Sequence, residues 1–342
     1  MWFHPVTARR LAELLEIPAG CVAEAMGDDI RQTWVNNNYA MEGIVHAHEG
    51  EAHTDFWGIR WVKAGAFNQA VAFPLEHASP EAILDYAFPW DRMEALLAQM
   101  EPVLGYGETQ FIGVDVSPCA FEMYNRLRGM EAALTDLALQ PDVAETMMGR
   151  CADFAVALSR ASCERFPLDW LWLGDDVAGQ HGMMMSPEQW RELIKPHLKR
   201  VADAGRERGL PVAYHCCGAL RPIIPDLIEI GVGVLNPIQH GCPGMDAASL
   251  KADFGRDLAF MGGVDTQGVL PHGSVDEVRR ATEELIETLG AGGGYILAAS
   301  HTVPPETPDE NIFAMYEVAG ISREEIFDRA AAIRGRERST SS

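Results

Sequence analysis

Six short apolar runs, each closing on polar or ionisable residues, constrain this chain more than any other feature. They lie at Gln110–Asp115, Leu168–Asp176, Pro211–Cys217, Gly233–Gln239, Leu258–Asp265 and Gly294–His301. Runs of this length bounded by turn residues read as buried strands. Between them, Pro187–Gly205, Ala219–Ile230 and Val275–Leu289 carry helical spacing. Several have start signals: Ser186 precedes Pro187 and Gln189, Ser274 precedes Glu277, and Thr307 precedes Pro308 and Glu310, all N-cap patterns. Repeated strand–helix units imply an α/β protein with a parallel sheet.

The amino-terminal part reads differently. Leu11–Arg31 is expected to be helical, and Asp55–Leu75 holds two apolar runs parted by Lys63-Ala64-Gly65, the pattern of a hairpin. The 342 residues allow two domains, but α/β barrels often run this long as one. The expectation is a single domain over residues 1–333, with residues 1–100 elaborating its mouth, and a disordered tail over residues 334–342, too hydrophilic to pack.

The net charge of −23 argues against nucleic acid and anionic membrane surfaces as partners, because both demand a basic footprint. Seven irregularly spaced cysteines suit reduced thiols better than a disulfide framework. The segment Met1–Gly20 has Arg9 and Arg10 followed by an amphipathic Leu-Ala-Glu-Leu-Leu pattern, which fits neither a signal peptide nor a membrane span. The chain is expected to be cytoplasmic. Gly290–Gly294 precedes a strand instead of joining strand to helix, so it reads as a connecting loop and not a nucleotide fingerprint. Asn36-Asn37-Asn38 reads as a polar loop, and Met183-Met184-Met185 as flexible apolar packing.

The chemistry sits at the strand ends: Asp115, Asp175-Asp176, His215-Cys217, Asn236 to Gln239, Asp265 to Gln267 and Ser300-His301. In a (β/α)8 barrel the carboxyl ends of the strands and the loops after them build the active site. The run Tyr214-His215-Cys216-Cys217-Gly218 is the sharpest of these. In extended chain, residues i and i+2 share a face, so imidazole and thiolate converge while Cys216 turns away. Mixed nitrogen and sulfur ligands suit zinc, and three protein ligands leave a position for substrate. A buried strand with a satisfied histidine and inert cysteines would look the same. His301 and Cys242 compete as third ligand; convergence of strand ends favours His301, since Cys242 lies on a Gly-Pro-rich loop.

Gly174-Asp175-Asp176, Ser186-Pro187-Glu188 through Lys195-Pro196, His215-Cys216-Cys217-Gly218, Asn236-Pro237-Ile238-Gln239, Gly262-Gly263-Val264-Asp265-Thr266-Gln267, and His301 through Thr307-Pro308 with Asn311 together resemble the uroporphyrinogen decarboxylase superfamily. They look most like its corrinoid-dependent methyltransferase branch, and the resemblance covers roughly Asp115 to Gly320. It implies a TIM barrel. The Arg-Gln-Ala-Gly-Arg kind of run that grips porphyrin carboxylates in true decarboxylases does not occur before Asp55. The zinc methyltransferases of the family use an H-x-C pair, which maps onto His215 and Cys217, with a later cysteine where this chain has His301.

The resemblance implies a zinc-dependent methyltransferase that moves a methyl group between a small-molecule donor or thiol acceptor and a corrinoid. The corrinoid would sit on a separate carrier protein, since the Asp-x-His-x-x-Gly ligand loop is absent here. Asp176 and Asp265 are candidates for proton transfer or substrate orientation. Asp55, Trp57, Asp175, Gln180, Tyr214, Asn236, Gln239 and Gln267 are candidates for substrate binding, with Asp55-Phe56-Trp57 closing the mouth. For each carboxylate the competing reading is a salt bridge or a helix cap. A homodimer is compatible with all of this. Two other functions stay open: a metal-independent decarboxylase or lyase acting on a small carboxylic acid, and a non-catalytic binding barrel.

Overall fold

The computed structural model describes residues 1–36 and 46–340; Asn37 and Asn38 of the polar loop lie outside them. The chain divides into two compact units, one of residues 31–235 with 242–244, the other of residues 1–30, 236–241 and 245–342.

The first unit is built on strands β1 (Ile30–Trp34), β5 (Phe111–Asp115), β6 (Trp170–Gly174), β9 (Val212–His215) and β10 (Val234–Asn236), adjacent in that order. β5 pairs with β6 and β6 with β9 in parallel, with Asp115 level with Trp172 and Gly174 level with His215. All five residues of β6 are buried, as expected of a strand covered on both faces. Residues at the carboxyl ends of β5, β6 and β9 are therefore neighbours. Three antiparallel strands, β2 (Ala52–Thr54), β3 (Arg60–Ala64) and β4 (Phe67–Ala72), make the expected hairpin with one strand added. Gly65 turns it at φ +65°. A small ribbon, β7 (Ala178–Gly179) with β8 (Gly182–Met183), follows β6.

In the second unit β11 (Ala259–Val264) pairs in parallel with β12 (Tyr295–Ala299). The helix Val275–Leu289 joins them, opened by a capping box between Ser274 and Glu277, and Gly290–Gly294 is the loop that follows it. The capping box at Ser186 with Gln189 also forms, in the first unit.

The structure corrects three expectations. Leu11–Arg31 is not one helix: Pro5–Leu15 ends with Glu16 left-handed at φ 56°, Val22–Met26 ends at Gly27, and β1 begins at Ile30. Glu16 is followed by Pro18, whose ring cannot continue a helix. Thr307 is not an N-cap; the helix Asp309–Val318 starts after Pro308 without a side-chain cap, and Thr307 is buried. The polar end is helical as far as Thr340 rather than disordered from residue 334. Arg334 donates to the Leu15 carbonyl and Arg336 pairs with Glu24, which ties the start of that segment down.

Candidate metal centre

β9 delivers His215 as its last residue, and the next residues leave the sheet. His215 Nε2 and Cys217 Sγ lie 3.7 Å apart, both half-buried. Cys216 is fully buried and turned away, its sulfur accepting the Val177 N–H at 3.4 Å. The alternation expected of extended chain is what the structure has. Tetrahedral zinc, with Zn–N about 2.0–2.1 Å and Zn–S about 2.3 Å, sets its nitrogen and sulfur ligands roughly 3.6 Å apart. The His215–Cys217 spacing fits that edge without rearrangement.

Two neighbours fix the loop. Gly218 sits at φ +88°, where a Cβ would fall 2.3 Å from the Gly179 carbonyl oxygen, so only glycine lets the chain turn this close to the β7–β8 ribbon. The Ala219 N–H then donates to that same carbonyl at 2.9 Å. Asp176 Oδ1 accepts the Cys217 N–H at 2.8 Å, which orients the thiol-bearing residue. Glu122 accepts the Asp176 N–H at 3.3 Å, across 54 residues of sequence.

Asp115 and Trp172 are in register, and the Trp172 ring stands 6.1 Å from the His215 ring. Both Ser117 donors, N–H at 2.9 Å and Oγ at 2.5 Å, go to Asp115 Oδ1. Burial pushes the Asp115 carboxyl up to about 7, against the Ser117 bonds and the charge of His215, which lower it. Asp115, Ser117 and Glu122 had no assigned role in the sequence reading. The strand-end position of Asp115 was the one available signal; Glu122 lies in the helix Phe121–Arg128, and nothing in its spacing points to Asp176.

Several of the expected substrate contacts have partners within the protein. Asp175 is fully buried and accepts the N–H groups of Ala120, Phe121 and Glu122 at 3.0, 3.2 and 2.8 Å, holding the start of that helix. Burial pushes its carboxyl up to about 7. Tyr214 is also fully buried, its hydroxyl donating to the Asp175 carbonyl at 2.8 Å. Asp55 accepts from Trp57 N–H, Ile59 N–H and Trp61 Nε1 at 2.9, 2.9 and 2.6 Å. Trp57 packs on Phe88 and Phe154, and Asp55-Phe56-Trp57 forms a turn held by the Asp55 carboxylate. Asp175, Tyr214 and Asp55 thus each have protein partners, the arrangement of the structural alternative weighed for the carboxylates. The oxygens of Asp265 accept from Gln267, Gly268 and Val269 N–H at 2.9, 2.8 and 3.1 Å, the arrangement of a cap.

Asn236 is fully buried, with its amide directed at the Met261 carbonyl at 3.4 Å. Gln239 is half-buried, and Gln180, Gln267 and His301 are exposed. Cys242 is buried, 3.5 Å from Gln180 Oε1, and its thiol is pushed up by burial and by the charge of Cys217. His301 follows β12, next to Ser300, whose hydroxyl donates to the Val264 carbonyl at 3.1 Å. Among the described residues no helix is long and apolar enough to cross a membrane.

Comparison with known proteins adds the family. The family description "Uroporphyrinogen decarboxylase (URO-D)" matches residues 89–320. A uroporphyrinogen decarboxylase of Thermus thermophilus is 28% identical over 134 residues, 39% of this chain and 37% of that protein. Methylcobamide:CoM methyltransferase MtbA of Methanosarcina mazei is 24% identical over 217 residues, 63% of this chain and 59% of that one. The alignments thus span less than two thirds of these curated relatives. Among solved structures, a methyltransferase from Methanosarcina mazei superposes with a TM-score of 0.66 at 18% identity, covering 92% of this chain and 86% of that one. That likeness is one of fold.

Proposed function

This chain belongs to the uroporphyrinogen decarboxylase family, and from that premise we propose that it is a zinc-dependent methyltransferase. The observation that carries the reading is the 3.7 Å spacing of His215 Nε2 and Cys217 Sγ, the edge of a tetrahedral zinc site. The proposed third ligand is the exposed His301, with Cys242 left outside the ligand set. The relatives include methyltransferases beside uroporphyrinogen decarboxylases, and the want of an arginine run before Asp55 favours methyl transfer between the two. The same reading has residues 1–333 close as a single (β/α)8 barrel, with residues 1–100 at its mouth, a small-molecule methyl donor or acceptor in the cleft, and a separate corrinoid carrier protein as partner.

When bound, zinc would act as a Lewis acid that holds a substrate thiolate or polarises a donor heteroatom. His215 and Cys217 hold the ion and fix where the reacting atom of the substrate sits. Asp176 sets the Cys217 backbone through its 2.8 Å bond, so the side chain is aimed before the ion arrives. Asp115, with its carboxyl pushed up to about 7, holds or releases a proton near neutral pH on the same face of the sheet. Gln180, Gln239 and Gln267 remain the amides proposed for substrate polar groups.

Metal analysis tests the proposal. Protein purified from zinc-supplemented cells should carry one zinc per chain. Cys217→Ser should lose it, and Cys216→Ser, whose sulfur points to Val177, should keep it. Parent protein without zinc would sink the proposal and leave a metal-independent decarboxylase of a small carboxylic acid in its place.

A further inference from the structure

The proposed function leaves Glu122 without a task, although segments distant in sequence converge on it. It is the second residue of the helix Phe121–Arg128, and its backbone N–H donates to Asp175 Oδ1 at 2.8 Å. Its side chain returns to the next residue of the same strand end, where Oε2 accepts the Asp176 N–H at 3.3 Å. The start of the helix and the end of β6 thus hold each other at two adjacent residues, each giving a carboxylate to the other's backbone. Neither can slide along the other without breaking both bonds.

The Glu122 carboxylate is itself held. Arg126, one turn on, donates to its Oε1 at 2.6 Å, with the acid four residues ahead of the cation, the more favourable order on a helix. The Arg126 guanidinium lies over the Trp34 ring at 5.5 Å, and Trp34 Nε1 donates to the Ser117 carbonyl. Only 14% of the Glu122 side chain and 22% of the Arg126 side chain are exposed. A donor on each oxygen and a stacked guanidinium leave the carboxylate one orientation. From there the order passes to the proposed ligand, because Asp176 gives its own Oδ1 to the Cys217 N–H at 2.8 Å. Each bond from Glu122 to Cys217 fixes a backbone N–H, so what the line conveys is position and not a proton.

We propose that Glu122, clamped by Arg126, is a positioning residue that holds Asp176 and through it sets Cys217 for the metal. The inference rests on the zinc reading, since it assigns Cys217 as a ligand.

The test uses the full chain and three readouts. Zinc affinity is read by competition with a chromophoric chelator, the visible spectrum on protein loaded with cobalt(II) in place of zinc, and hydrogen exchange of the Cys217 amide on chelator-stripped protein. Glu122→Ala should weaken zinc about tenfold, within the range typical when a group supporting a metal ligand is removed. It should also alter the cobalt spectrum and speed Cys217 amide exchange about tenfold, the loss of one hydrogen bond. Glu122→Gln keeps an oxygen for the Asp176 N–H and should lie between Glu122→Ala and the parent in all three. A residue that only stabilised the fold would lower the melting temperature and leave the cobalt spectrum unchanged. Parent-level zinc affinity or an unchanged cobalt spectrum in Glu122→Ala would overturn the proposal, as would Glu122→Gln impaired as far as Glu122→Ala. If Glu122→Ala does not fold, Arg126→Met, which frees the carboxylate, decides the matter: faster Cys217 amide exchange supports the proposal, and the parent rate overturns it. A parent chain that takes up no zinc would end the zinc reading, and exchange on stripped protein would then decide by itself whether Glu122 orders Cys217.

Discussion

Replacing Asp176 separates a residue that aims the Cys217 loop from one that merely lies beside it. Its Oδ1 takes the Cys217 N–H at 2.8 Å, and a hydrogen bond of this kind, to a carboxylate, contributes about 1.5–3 kcal/mol. At about 1.4 kcal/mol per decade, that is a factor of roughly 10–150, in line with the 10–100-fold losses typical when a group supporting a metal ligand is removed. Asp176→Ala should therefore weaken zinc about 10–100-fold. Asp176→Asn keeps an oxygen for the same N–H and gives up the charge, so its loss should stay under about tenfold. Zinc affinity is read by competition with a chromophoric chelator, alongside melts of the metal-free proteins, which separate general destabilisation from loss of the metal site. If the alanine variant keeps parent affinity, the bond does not aim the ligand. If the asparagine variant falls as far as the alanine variant, charge and not orientation is what Asp176 supplies, and the reasoning fails.

Other expectations follow from the same geometry. Gly218→Ala combines left-handed strain of about 1–2 kcal/mol with a Cβ placed 2.3 Å from a carbonyl oxygen; denaturant unfolding should show a loss above about 2 kcal/mol, with zinc binding reduced. Gly209→Ala, at φ +73° with nothing within 4 Å, is the control and should cost only the strain. His301→Ala should weaken zinc and methyl transfer together, whereas Cys242→Ser should leave both near the parent level; the reverse pattern would exchange their roles. Asp115, raised by burial from 3.8 to about 7, binds more protons folded than unfolded across that window. Its contribution is thus most favourable at the acid end and is lost as pH rises from about 4 toward 7. Metal-free Asp115→Asn should show a flatter decline over this range, by an amount on the order of a few kcal/mol, in denaturant titrations at several pH values.

The parts of this structure that could be read from sequence are those whose causes are local. Each of the six apolar runs became a strand, from Phe111–Asp115 to Tyr295–Ala299, because a buried strand needs nothing but its own apolar residues and a turn at each end. Ser186 and Ser274 formed their capping boxes for the same reason. β1 was illegible: Ile30-Arg31-Gln32-Thr33-Trp34 has one buried residue among half-buried ones, and no apolar alternation marks it. The helix ending at Thr340 has almost no apolar stripe, and its arginines find their partners at Leu15 and Glu24, beyond any local reading.

The site divides along the same line. His215 and Cys217 are two residues apart, so the period of a strand is enough to bring them together, and the 3.7 Å spacing follows from it. The carboxylates were ambiguous because a strand-end aspartate looks the same whether it faces a cleft or caps the turn that leaves the strand. Asp175 and Asp176 show how little separates the outcomes. They are adjacent on a strand end, so they point to opposite sides; one is buried under the N–H groups of residues 120–122, and the other meets the Cys217 N–H. Which of the two meets the Cys217 loop was decided by what arrives from the segments around residues 120 and 217. Sequence therefore identifies the strand ends at which polar residues gather, while the partner of each carboxylate there is fixed by segments distant in sequence.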